Sequence, residues 1–76
     1  MAEQPVVIQL SPDQAVVLFE LLARFDEEAR LSVADPAEER VLWEVHAQLE
    51  RTLVAPLDPR YAVLLAAARS RVAGAG

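Results

Sequence analysis

A helix-start signal, in which a capping residue is followed by proline, occurs three times in this chain of 76 residues. A Ser or Asp side chain accepts a hydrogen bond from an otherwise unpaired amide, and proline suits the first helical position because it has no N–H. The three signals are Ser11-Pro12, Asp35-Pro36 and Asp58-Pro59. They predict helices at about 12–28, 36–54 and 59–72, followed by a frayed tail over 73–76.

The second predicted helix carries two apolar sides and holds the only tryptophan and the only histidine. At about 100° per residue its core side contains Val41, Leu42, Val45, Leu49 and Leu53. The opposite side contains Trp43, Ala47 and Val54. We expect this helix to be the centre of the fold. Trp43 then either packs under a neighbouring helix or anchors an interface with another chain, where tryptophan is enriched.

The other two helices have one clear inward stripe each. The first carries Ala15, Leu18, Phe19, Leu22 and Phe25, and the third carries Tyr61, Leu64, Leu65, Ala68 and Val72. Val17 and Leu21 lie away from the first stripe, so the first helix is apolar over more than half of its circumference. Together with Ile8 and Leu10, these stripes predict the core.

The segment before the first helix has the pattern of a short strand. Residues 6–10 are rich in β-branched side chains and lie between two prolines. Alternation places Val6, Ile8 and Leu10 on one face and Val7 and Gln9 on the other. A lone strand needs a partner, either residues 31–34 or the same strand of a second copy, and we expect the second. The predicted fold is therefore one domain, residues 1–76, mainly α with a short N-terminal β-strand (β-α-α-α).

Size, apolar content and charge restrict the possible partners. A domain of this length buries only about 60–65% of its unfolded surface, yet 54% of the residues are apolar. This surplus predicts self-association, most simply a homodimer. The net charge of -5 disfavours nucleic acid and anionic membranes and favours a basic protein partner. All the basic residues are arginine, a bias typical of a GC-rich bacterial genome.

The residues needed for catalysis or metal binding are scarce. His46 has Glu50 one turn later, but two ligands are too few for a metal site, and cysteine is absent. Both glycines lie in the tail, so there is no oxyanion-hole or phosphate-binding loop. We therefore expect no enzymatic activity, no cofactor and no metal. The N-terminus lacks a basic signal-peptide region and no apolar run reaches membrane-span length, so we expect a cytoplasmic protein.

A strand that ends at Leu10-Ser11-Pro12 and is followed by two helices resembles the ribbon-helix-helix family of dimeric DNA-binding repressors and antitoxins. The resemblance covers residues 5–54 and implies a dimer made by strand pairing. In that family the paired strands present polar or basic side chains to the major groove. The corresponding positions here are Val7 and Gln9, so DNA binding is the alternative expectation rather than the first.

The expected function is that of a small, acidic, non-catalytic protein–protein interaction module that self-associates. Immunity proteins, antitoxins and small regulatory subunits are modules of this type. Apolar residues off the core stripes are the expected contacts with other chains. These predicted interface residues are Trp43, Ala47, Val54, Val17, Leu21 and Val7.

Overall fold

The computed structural model describes residues 4–28 and 34–74, which form a small three-helix domain. This confirms the mainly helical architecture. The helices are α1 (Pro12–Glu28), α2 (Pro36–Thr52) and α3 (Tyr61–Gly74), and a 3₁₀ turn (Ala55–Leu57) joins the last two.

The cap residues of α1 and α2 accept hydrogen bonds from backbone amides of the first helical turn. At α1 the Ser11 amide donates to Gln14 Oε1 (2.9 Å), and the Gln14 amide donates to Ser11 Oγ (3.1 Å), which completes a capping box. At α2 the Ala37 amide donates to Asp35 Oδ1 over 2.8 Å. Glu38 accepts from the amide of Ala34, one residue further back than a standard capping box places it.

The boundaries around the 3₁₀ turn follow from local backbone chemistry. α2 stops at Thr52 because Leu53 is extended, with φ -85° and ψ 138°. Pro56 has no N–H to donate to the carbonyl four residues back, so the α-helical hydrogen bonds do not resume at once. Asp58 accepts from the Arg60 amide at 2.7 Å, which forms a turn and delays the start of α3 to Tyr61.

The centre of the fold is α1, and the expectation that the second helix holds this place is wrong. α1 packs against both α2 and α3. Among the described residues it supplies five of the seven buried apolar side chains: Ala15, Val16, Phe19, Leu22 and Phe25. The others, Leu65 and Ala68, come from α3. α2 lies wholly within the described chain and buries no side chain completely.

Three predicted core residues are exposed, and one that was not predicted is buried. Val16 packs with Leu65 and Ala68 between α1 and α3, since α1 needs apolar residues toward two neighbours. Val41 is 61% exposed because it lies at the edge of the core side of α2, away from α1. Ile8 and Leu10 are also exposed.

Residues 4–10 do not form a strand in the single chain, in contrast to the prediction. A strand requires ladder hydrogen bonds to a second strand, and β-propensity alone cannot supply them. The internal candidate partner, residues 31–34, lies outside the described residues except for Ala34. Residues 73 and 74 of the predicted tail belong to α3, which continues through Gly74. Residues 75 and 76 lie outside the described part.

Candidate interaction surface

The candidate surface is the outward side of α2, which is the side that holds Trp43. α2 meets α1 through the opposite side, where Leu42, Val45 and Leu49 are half-buried. Because successive residues turn by about 100°, Trp43 points roughly away from these contacts. The indole is 48% exposed, so only part of it is covered by the helix's own neighbours.

The other predicted residues on this side differ in how accessible they are. Ala47 is one turn after Trp43 and half-buried. Val54 follows the helix end and is 76% exposed, at the first residue of the bend into the 3₁₀ turn. Trp43 and Ala47 therefore form a partly apolar strip on α2 with charged residues beside it, and Val54 lies beyond the end of the helix.

The remaining predicted interface residues lie elsewhere and do not join this strip. Val7 is almost fully exposed in the N-terminal segment, and Leu21 is exposed on α1. Val17 is half-buried against the cluster of Val16, Leu65 and Ala68. Part of its surface is thus used inside the domain, because the third helix approaches that flank of α1.

An apolar groove lies between the N-terminal segment and the first two helices. It has a volume of about 430 Å³. The alternating residues Val6, Ile8 and Leu10 all face it, as the strand pattern predicted for one face. The helical walls are Leu18 of α1 with Val45, Gln48, Leu49 and Thr52 of α2. The groove is open, and none of the described residues that line it is charged.

His46 is oriented toward the first helix. Its ring lies 4.9 Å from the ring of Phe19, centroid to centroid, at an interplanar angle of 51°. Its Nε2 atom is buried and has no hydrogen-bond partner among the residues that the structure describes. No hydrogen bond joins His46 to Glu50 in the described part of the chain. The imidazole therefore acts as a packing group between α1 and α2, with one polar atom left unsatisfied.

Two side-chain contacts that the sequence did not predict tie α1 to α3. Arg71 donates two hydrogen bonds to the carboxylate of Asp13, at 2.7 and 2.9 Å. The hydroxyl of Tyr61 donates to Glu20 Oε1 over 3.0 Å. The partners are separated by 58 and 41 positions, so no local pattern could reveal them.

These contacts shift the protonation equilibria of the groups involved. The hydrogen bonds from Arg71 lower the pKa of Asp13, and Asp13 in turn raises the pKa of Arg71. Burial of the phenol, followed by its hydrogen bond to Glu20, raises the pKa of Tyr61 to about 12. All three groups therefore keep their usual charge state at neutral pH.

Some of the charged residues beside Trp43 pair with other side chains of α2. Glu44 accepts from Gln48 (3.0 Å) and lies 3.8 Å from the guanidinium of Arg51. These are exposed contacts, which stabilise a helix only by a few tenths of a kcal/mol. Arg40 and Glu50 are exposed on the same helix.

The described residues contain no group of three or more side chains arranged to hold a metal ion. None of the described helices combines the length and the apolar character that a bilayer crossing requires. Compared with protein-family models, with curated proteins and with solved structures, the chain matches none.

Proposed function

We propose that this chain is a small, acidic, non-catalytic protein–protein interaction module of the cytoplasm, of the type of an immunity protein, an antitoxin or a regulatory subunit. It binds through apolar surface that the domain leaves uncovered, and it self-associates. The observation that carries the proposal is the large amount of apolar side chain on the outside of the three helices.

The accessible area gives this observation a scale. A compact monomer of 8.3 kDa exposes about 4,600 Å² by the usual size relation. This chain exposes 6123 Å². The difference, about 1,500 Å², exceeds the roughly 800 Å² that each partner contributes to an interface of standard size. The exposed N-terminal segment accounts for part of this difference, and the rest is surface that a second chain could cover.

The charge supports a basic protein as a further partner. A net charge of -5 on so small a surface attracts positively charged proteins and raises the rate of encounter. Salt screens this attraction, so binding to such a partner should weaken as ionic strength rises.

Self-association has two candidate surfaces, which are the outward side of α2 and the N-terminal segment. We include strand pairing of residues 6–10 between two copies in the proposal, because their alternating apolar side chains face one groove and their backbone has no ladder partner in the described chain. Such a ribbon would supply the hydrogen bonds that the isolated segment lacks.

The test is the molar mass in solution, measured by light scattering over a wide concentration range. The proposal predicts a dimer of twice 8.3 kDa that dissociates on dilution. A monomer at every concentration would remove self-association from the proposal. Retardation of duplex DNA at low salt would instead favour the ribbon-helix-helix alternative.

A further inference from the structure

The outward side of α2 carries a stripe whose residues alternate in spacing between four and three. We call it the α2 stripe, and its members are Pro36, Arg40, Trp43, Ala47 and Glu50. This spacing has a mean period of 3.5 residues, the repeat that keeps one seam of a helix against a second helix. The exposed Val54 follows at the same interval, just beyond the helix end.

The stripe has an internal symmetry about the level of Val45. Trp43 and Ala47 are equally far from this level, and so are Arg40 and Glu50. When two helices run antiparallel about a two-fold axis, positions equally far above and below the axis lie opposite each other. In such an arrangement Trp43 would face Ala47 of the second helix, and Arg40 would face Glu50 of the second helix.

We propose that two copies of this chain pair through the α2 stripe, with their α2 helices antiparallel and the two-fold axis at the level of Val45. Trp43 of one copy packs over Ala47 of the second, and Arg40 of one copy meets Glu50 of the second. Symmetry repeats both contacts, so the interface holds two indole–alanine layers and two ion pairs. This inference rests on the proposed self-association and names its surface.

Charge decides the direction of pairing. In a parallel pair each residue would face its own counterpart, so that Arg40 would oppose Arg40 and Glu50 would oppose Glu50. Like charges in direct opposition are destabilising. Only the antiparallel arrangement matches both charged positions with their opposites. Glu44, which lies near the axis on one flank, has Arg51 of its own chain 3.8 Å away as a counter-charge.

Four of the five residues of the stripe are exposed, and Ala47 is half-buried. α1 covers the opposite side of α2, and the N-terminal segment faces Val45 and Leu49 across the groove. The seam of 15 residues is about 22 Å long. An interface of this length lies at the small end of stable dimers, so we expect roughly micromolar affinity and visible dissociation on dilution.

Charge reversal provides the test, because Arg40→Glu and Glu50→Arg each create two like-charge contacts across the seam. Each variant alone should dimerise at least tenfold more weakly than the original chain. An equimolar mixture of the two should form a heterodimer, since both contacts are then complementary. The chain that carries both changes should also recover its dimer.

Two readouts follow the association, the molar mass from light scattering and the emission of the single tryptophan, which shifts to the blue as the indole is covered. Arg24→Glu, an exposed position on α1, is the control for net charge and should leave the dimer unchanged. Circular dichroism checks that every variant keeps its helices.

The outcomes separate this inference from the broader proposal. Single variants that dimerise like the original chain, or a mixture no stronger than its components, would overturn the α2 interface. If Val7→Lys abolishes the dimer while Arg40→Glu does not, the contact is the N-terminal segment and self-association itself stands. A chain that is monomeric throughout would refute both.

Discussion

Leu22 and Leu21 are adjacent leucines of α1 whose replacement by alanine should have very different consequences. Leu22 is 2% exposed, whereas Leu21 is 39% exposed. Both substitutions make the same chemical change in the middle of the same helix, so helix propensity cancels between them. Any difference in unfolding free energy reports burial alone.

The magnitude can be worked from the burial. Leu→Ala removes three carbon groups, worth about 0.8 kcal/mol each when fully buried, and a cavity term is added where neighbours cannot collapse. For Leu22 this gives about 3–4 kcal/mol. For Leu21, where water can occupy the vacated space, we expect about 1 kcal/mol or less. The unfolding free energy of a domain of this length is only about 4–11 kcal/mol, so the Leu22 variant should lose roughly a third of it or more.

Urea denaturation followed by circular dichroism measures both losses. Each variant should be compared at one fixed protein concentration, because dimer formation adds stability by mass action. Equal losses at the two positions, or a loss below about 1 kcal/mol at Leu22, would mean that α1 is not the central helix. The Arg40→Glu background provides a repeat in which dimer formation is weakened.

Three further predictions concern the polar contacts. The folded pKa of Tyr61, about 12, lies above its ordinary value of 10.0. The Tyr61 hydroxyl therefore makes its full contribution to the unfolding free energy below pH 10, and this contribution is lost as the pH rises toward 12. Alkaline urea titrations should show a loss of about 1–2 kcal/mol, and Tyr61→Phe should abolish this pH dependence. The folded pKa of Asp13 is lowered below its ordinary value of 3.8. The Asp13 carboxylate therefore stabilises the fold at pH values above 3.8, and this stabilisation is lost as the pH falls through the folded pKa. Arg71→Gln should raise that pKa, measured from the carboxyl shift by NMR, and an unchanged value would mean that the ion pair does not form in solution. Asp35→Ala should lower the unfolding free energy by about 1 kcal/mol in denaturation experiments, whereas Asp35→Asn, which still caps, should lose much less.

The features that local sequence could predict are those set by nearest neighbours. The starts of α1 and α2 follow from a cap residue and a proline, and their cap hydrogen bonds join residues at most three apart. The third signal, Asp58-Pro59, lies where predicted, but α3 begins two residues after the proline, at Tyr61. The side of α1 that carries Phe19 and Leu22 follows from periodicity. The confirmed three-helix architecture therefore needed no information from distant parts of the chain.

Local sequence could not predict the features that depend on which helices and segments pack against each other. Trp43 and the double apolar character of α2 suggested a central position, but Val16 and Val17 give α1 a wider apolar arc that accommodates two helices. The strand over residues 6–10 needs a partner that the described chain does not provide. The side chains that alternation predicted for one strand face, those of Val6, Ile8 and Leu10, all line one groove, although residues 4–10 form no strand.

The peripheral position of α2 has a consequence for the internal motions of the domain. α1 and α3 are held together by buried residues and by the contacts of Tyr61 and Arg71, whereas α2 buries no side chain completely. Opening of α2 alone should therefore require less free energy than global unfolding, and its backbone amides should exchange with deuterium faster than those of α1. Antiparallel pairing would slow exchange selectively in α2 as concentration rises. Dimer formation would then raise the free energy of opening α2 more than that of α1 or α3.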